Sequence, residues 1–232
     1  MHAHRLFSLL SSLACVTYPV VAAPTLPGVG IAIAEMIAKN EVAGAVTIVV
    51  SVDKILHLGS TGLADVATRK AMEPDTLFWI ASMTKPITGT AIMILQDEGR
   101  LNVADPVAKY LPEFANLKTP SGRPANLTIT QILTHTSGLG EAGAEAAGTA
   151  RTLSELVPVW LASPMQYEPG AKWKYTQSGM NLAGRIVELV GGMSFDAFLQ
   201  KRVFDPLGMK DTTFYPTEVQ KARLATGYAK NN

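Results

Sequence analysis

Ser82 and Lys85 stand three residues apart in FWIASMTKPITGTAIMILQDEGRL, residues 78 to 101. A serine hydroxyl becomes a nucleophile only when a base takes its proton. A lysine one helical turn away can be that base if it is held neutral, which burial, a nearby cation or a hydrogen-bond network favours. S-x-x-K is a weak signal by itself, and a second copy, Ser51-Val-Asp-Lys54, shows why. That copy straddles a polar turn between two strand-like runs, so its side chains have no reason to converge. Ser82 and Lys85 instead open a helical pattern, where residues three apart share a face. Pro86 lacks an N–H, belongs in a first helical turn, and sets the helix start near Ser82. A serine there lies at the positive end of the helix dipole, which favours a developing anion.

The commoner partner of a serine nucleophile is histidine. Beyond the first residues the chain has only His57 and His135, and it has no G-x-S-x-G strand elbow. Lys85 is therefore the base within reach, and a tyrosinate held beside it is a second. Read as single residues, the other aromatic and imidazole side chains have structural roles. Tyr175 is a core or rim aromatic. His135, in THTSGL, is a hydrogen-bonding group at a helix end rather than a catalyst. His57 alternates with Leu56 and Leu58 and belongs on the outer face of its strand, while Trp160, Trp173 and Phe198 pack.

The elements that must position these groups follow from hydrophobic period and punctuation. After TLPGVG, the segment IAIAEMIAKN predicts a helix that offers Ile31, Ala34, Met36 and Ile37 to a core. AGAVTIVVSVDKILHLGSTG predicts two strands around a turn at Val52-Asp53. A lone hairpin is marginal in water, so these strands need neighbours. From Ser82 the pattern is helical, with Ile87, Ala91, Ile94, Leu95 and Glu98 near one face and Gly99 at the stop. Asp105-Pro106 reads as the cap and first turn of a helix DPVAKYL, and Thr130 as the cap of TQILTHT, stopped by Gly138. Thr152 and Glu155 form a capping box before LVPVWLA, which Pro158 shortens or kinks. Residues 178 to 190 predict a helix with Met180, Ala183, Ile186, Val187 and Val190 inward, ended by Gly191-Gly192. Ser194 caps FDAFLQKRVF. The Gly/Ala-rich GLGEAGAEAAGTA, 138 to 150, reads as a mobile surface loop, and no further strand is expected after the hairpin.

Composition narrows the class of function. The 232 residues are 47% hydrophobic and 17% charged, enough apolar mass for a core. The net charge is +1 without basic or acidic blocks, which points to neither nucleic acid nor an anionic membrane surface as a partner. MHAHR, then LFSLLSSLACVTYPVV, then VAA has the three-part layout of a secretory signal, with cleavage expected after Ala22 and a secreted or periplasmic product. Its apolar run is too short and too broken to span a membrane. Cys15, the sole cysteine, falls in that leader, and Ser12 three positions earlier argues against lipidation. The mature chain then has no thiol for a disulfide, a nucleophile or a zinc site, and its 19 basic residues balance 19 acidic ones. No ligand cluster suggests a metal, and no motif suggests a cofactor.

Several motifs in order carry a family resemblance. WIASMTKPITGTAIMILQDEGRLNVADPVAKYLPEF, followed by LTITQILTHTSGL, resembles the serine β-lactamase and penicillin-binding-protein superfamily. Within it the match is to the class C β-lactamase-like group, which includes carboxylesterases and D-amino-acid peptidases. EPGAKWKYTQSGMNLAGRIVELVGGMSFDAFLQKRVFDPLGMKDT is similar to the same group, so the resemblance covers residues 28 to 228. It implies an α/β (α+β) two-part fold: a signal at 1–22, a sheet part at 23–80 with an N-terminal helix and a hairpin of a mixed sheet, and an all-helical part at 81–232 with the nucleophile. It implies Ser82 as the acylated nucleophile, Lys85 as its helix partner and Tyr175 as a proton-transfer group. Gln177 falls where the group has the asparagine of Tyr-x-Asn, which implies a substrate-binding role; it keeps an amide but is one methylene longer. The substrate implied is a small molecule with a lactam, ester or D-peptide carbonyl.

The group's third motif, K-T-G or H-x-G on a later strand, has no match after Tyr175. Lys118-Thr119-Pro120 lacks the glycine, and His57-Leu58-Gly59 precedes the nucleophile. Against the family pattern, the chain ends at ATGYAKNN before the remaining strands, a C-terminal helix and the second N–H of the oxyanion hole. Two expectations follow: a secreted serine hydrolase working through an acyl-enzyme, or a truncated, inert relative that at most binds a ligand or partner.

Overall fold

Val and Ile in alternation build an antiparallel pair in the computed structural model, which describes residues 24–229. The expected leader with Cys15 lies outside the described residues. Helix α1 (Pro27–Ala38) starts with proline in its first turn and precedes strands β1 (Gly44–Val50) and β2 (Ile55–Asp65). The pair runs in register from Gly44 opposite Gly62 to Val49 opposite His57. Ser51 Oγ donates to Asp53 Oδ1 at 2.6 Å, and Ser51 N to the Lys54 carbonyl at 2.8 Å, so the second S-x-x-K is used in closing this turn. Contrary to expectation a third strand exists, β3 (Lys70–Ala71), paired with β2 through Leu63 and Ala71. Asp65 Oδ1 accepts both the N–H and the hydroxyl of Thr68 at 2.7 Å, and this local closure turns the chain back on itself.

Two expectations for this part are corrected. The half-buried stripe of α1 is Ile33, Met36 and Ile37, at i, i+3 and i+4, whereas Ile31 and Ala34 face solvent. The helix period selects that stripe, and Ile31 lies well around the cylinder from Ile37. His57 is not on an outer face but only 2% exposed. Its Nδ1 accepts the N–H of Leu26 at 2.9 Å, and its Nε2 meets Thr47 Oγ1 at 2.8 Å. A polar ring with both nitrogens bonded can occupy a covered face, which leaves Leu56 outward.

The described residues divide into two compact units: those up to Thr76 with those from Leu224 onward, and Leu77–Arg223. The second is built around α2 (Thr84–Asp97), α3 (Ile129–Leu133), α4 (Ala144–Thr149), α5 (Leu153–Ala162), α6 (Ser178–Gly191), α7 (Phe195–Leu199) and α8 (Glu218–Lys221). Its core joins Ile92 and Leu95 of α2 to Ile132 of α3, Trp160 of α5, Leu182 and Ile186 of α6 and Phe198 of α7, all fully buried. Gly179 lets α6 approach α3: a Cβ there would lie 2.8 Å from the Ile132 carbonyl oxygen. Ala183, Ile186 and Val187 face inward as expected, and Gly192 at φ +73° ends α6.

Local details differ from expectation where a competing hydrogen bond decides. Thr128, not Thr130, caps α3: its hydroxyl takes the N–H of Gln131, whose side chain returns to Thr128 N, while Thr130 Oγ1 donates to the Val103 carbonyl. Asp105 opens no α-helix. Its carboxylate accepts from Asn102 N, Lys109 Nζ and Tyr110 OH, and residues Val107–Lys109 form only a 3-10 turn. Thr152 caps α5, but the Glu155 carboxylate bonds Arg151 N, and the helix runs through Pro158. Ser194 precedes α7 without a side-chain cap bond, and the helix continues as a π turn, Gln200–Phe204. Residues 138–150 are not simply a surface loop, since Leu139 is buried and α4 follows. Trp173, expected to pack, is 67% exposed, its ring nearly perpendicular to that of His135.

Candidate active site

Ser82 lies in the middle of a 3-10 turn, Ala81–Met83, that leads into α2. Ala81 before it has φ +44°, a strained value for a residue with a Cβ, of the kind that gathers at functional turns. The turn presents Ser82 to solvent. Its Oγ accepts from Lys85 Nζ at 3.1 Å and from the Tyr175 hydroxyl at 2.6 Å. Lys85 Nζ donates also to Gln177 Oε1 at 2.7 Å and stands 4.7 Å from the centre of the Tyr175 ring. Gln177 Nε2 donates to Asn181 Oδ1 at 2.9 Å, one turn along α6. The four residues singled out in the sequence thus meet at one place within the larger unit, although 92 and 93 positions separate their two halves.

The electrostatics follow from these contacts. Hydrogen bonding to Lys85, then to Ser82, holds the Tyr175 phenol below its ordinary value. Two donors on one hydroxyl cannot both stay protonated and also take the serine proton. Loss of one proton from the Lys85–Tyr175 pair converts that pair into a base beside Ser82.

Two residues that sequence reasoning did not give a place in the site hold it together. Glu141 comes from the 138–150 stretch. One of its carboxylate oxygens takes the N–H of Gln177 at 2.6 Å, and the other takes the N–H and hydroxyl of Ser178 at 3.1 and 2.8 Å. It caps α6 from a distance, which leaves the Gln177 amide available to Lys85 and Asn181. No local pattern signals this, because the cap is supplied from 36 positions upstream. His135, at φ +60° just beyond α3, accepts the Thr176 N–H on Nδ1 at 3.3 Å, and its carbonyl accepts the Lys174 N–H at 2.9 Å. Its ring stands 4.7 Å from that of Tyr175. Burial first, then the charge of Lys85, push this imidazole below its ordinary value, and Glu141 partly offsets them. Among the described residues no group of three or more His, Cys, Asp or Glu could hold a metal ion.

The sequence profile of the Beta-lactamase family matches residues 32–232. This chain belongs to the β-lactamase family. It is 33% identical to Esterase EstB of Burkholderia gladioli over 201 residues, which cover 81% of this β-lactamase-family chain and 51% of EstB. EstCE1, described as a hydrolase with promiscuous acyltransferase activity, superposes with a TM-score of 0.79 at 25% identity, over 89% of this chain and 56% of that one. D-alanine carboxypeptidase AmpC from Burkholderia cenocepacia gives 0.73 at 28%, over 87% and 53%. The chain spans about half the length of these relatives. The mixed architecture, a small antiparallel sheet with several helices, agrees with that of the structural relatives.

Proposed function

We propose that this β-lactamase-family chain carries the nucleophile of a serine hydrolase that works by acyl transfer. Ser82 Oγ attacks a substrate carbonyl as its proton passes to the base formed by Lys85 and Tyr175, either neutral Lys85 Nζ or the tyrosinate. The oxyanion is stabilised by the Ser82 N–H at the positive end of α2. As the carbonyl–leaving-group bond breaks, the proton moves from the base to the departing alcohol or amine. Water then attacks the acyl-serine, gives a proton back to Ser82 Oγ through the same pair, and releases the acid. Gln177 orients Lys85. One observation carries the reading: Lys85 Nζ and the Tyr175 hydroxyl both reach the same serine oxygen, at 3.1 and 2.6 Å.

The substrate class we propose is a small carbonyl compound, an ester, a β-lactam or a D-peptide. The similarity to Esterase EstB supports an ester as the first candidate, and that to a D-alanine carboxypeptidase supports a peptide as the second. The leader-like N-terminus supports export to the periplasm or medium, and no described helix is long and apolar enough to cross a membrane. The reading of the chain as an inert binder is not favoured, because a ligand-binding patch has no need of two proton carriers on one hydroxyl. The test is hydrolysis of a short-chain nitrophenyl ester and of a chromogenic cephalosporin by the 232-residue chain and by Ser82→Ala. We expect turnover of the ester that Ser82→Ala abolishes; equal rates for the two proteins would end the proposal.

A further inference from the structure

Tyr175 and Gln177, the two side chains that reach Ser82 and Lys85 from the far end of the unit, flank a single residue, Thr176. The three alternate: Tyr175 and Gln177 are exposed, and Thr176 is 2% exposed. The Thr176 side chain points inward, where its hydroxyl oxygen is buried without a hydrogen-bond partner among the described residues, so the segment's anchors lie elsewhere. The anchors come from His135. Its carbonyl accepts Lys174 N, its Nδ1 accepts Thr176 N, and its ring lies against the Tyr175 ring between those two bonds. One residue brackets the tyrosine on both sides. Its backbone, held at φ +60°, is what lets ring and carbonyl face the same segment.

We propose that His135 is a positioning residue whose neutral imidazole, by accepting the Thr176 N–H, sets Tyr175 and Gln177 against Ser82 and Lys85. The inference rests on the acyl-transfer reading for its catalytic consequence, but not for the contact itself. An acceptor Nδ1 requires the ring proton on Nε2. A second proton would put an N–H on Nδ1 facing the N–H of Thr176, two donors in one gap, with the Thr176 amide buried. The segment must then move, and the Tyr175 hydroxyl moves with it. The charged and titratable groups facing the ring are Lys85 from α2, Glu141 from the following loop and Tyr175 itself. Lys174 turns its ammonium away, onto Gln166 Oε1. Burial and Lys85 disfavour the protonated ring, so the device is intact at neutral pH and fails on the acid side of the ordinary histidine range.

The experiment has two readouts on the full chain. The first is NMR: the His135 ring and the Thr176 amide are followed together through an acid titration, with or without any catalytic activity. The second is the rate of covalent labelling by a fluorophosphonate against pH, in the wild type, His135→Asn and His135→Phe. Asparagine tolerates positive φ and offers an oxygen near the place of Nδ1 that cannot take up a proton in this range; phenylalanine keeps a ring and loses the acceptor. We expect the Thr176 amide to shift with the same midpoint as the His135 ring. Wild-type labelling should fall about tenfold or more below that midpoint. His135→Asn should lose the fall at that midpoint and keep only the limb set by the Lys85–Tyr175 pair, and His135→Phe should label about tenfold or more slower at every pH. A Thr176 amide indifferent to the titration of His135 overturns the proposal, and so does a fall in labelling at the His135 midpoint that survives in His135→Asn. Failure of the wild type to label at any pH counts against the acyl-transfer reading alone, and the Thr176 amide then decides whether His135 holds the segment.

Discussion

At the scale of single residues, the site turns on where one proton sits. Ser82 receives hydrogen bonds from Lys85 and Tyr175 at once, and the pair must lose a proton before it can accept the serine's. Lys85 and Ser82 hold the Tyr175 phenol below its ordinary value, so the tyrosinate forms at lower pH than in a free tyrosine, about 10. On the proposed mechanism the rate of ester release rises with pH along a limb that lies below that value. Tyr175→Phe should lose the limb and slow release by about 100- to 10,000-fold. A pH–rate profile of the two proteins checks this, and an unchanged limb in the phenylalanine variant would assign the base to Lys85 alone. Ser82 and Lys85 were legible from spacing, and Pro86 chose this S-x-x-K over the copy at Ser51. Tyr175 and Gln177 were legible only through a family resemblance, since a lone tyrosine has no pattern of its own. Glu141 and His135 were not legible as parts of the site, because they act through backbone N–H groups that approach only after folding.

At the scale of elements, two short motifs aim the reactive groups. A 3-10 turn with a strained Ala81 sets Ser82 ahead of α2, and a distant carboxylate fixes the start of α6. Glu141→Ala leaves the N–H groups of Gln177 and Ser178 without that acceptor and should cost about 1 kcal/mol, the usual weight of a helix cap. The midpoint of urea unfolding measures the loss, and Glu141→Gln, which keeps an acceptor oxygen, should recover part of it. Helices α2, α5 and α6 were legible because their apolar period is strong and their stops are glycines or polar caps. The misreadings share a cause. Thr130, Asp105 and Ser194 all have the chemistry of caps, but hydrogen bonds to Val103, to Asn102 and Tyr110, or no cap bond at all decide their use. His57 was misplaced because polarity suggested an outer face, while two bonded ring nitrogens allow an inner one.

At the scale of the whole molecule, membership in the β-lactamase family accounts for the order of the elements, and the site lies wholly within Leu77–Arg223. Serine, lysine, tyrosine and glutamine meet there on a core of α2, α3, α5, α6 and α7. That arrangement supports a prediction about this chain itself: Ser82 is acylated. The measurement is mass spectrometry of the folded 232-residue protein after exposure to a fluorophosphonate, with tryptic mapping of the adduct. Pro86 protects the Lys85 bond from trypsin, so Ser82 and Lys85 travel together in the peptide from Ala71 to Arg100. The account predicts a single adduct on that peptide, fragmenting at Ser82 and missing in Ser82→Ala. A folded protein that stays unmodified, or an adduct that persists in Ser82→Ala, would contradict it.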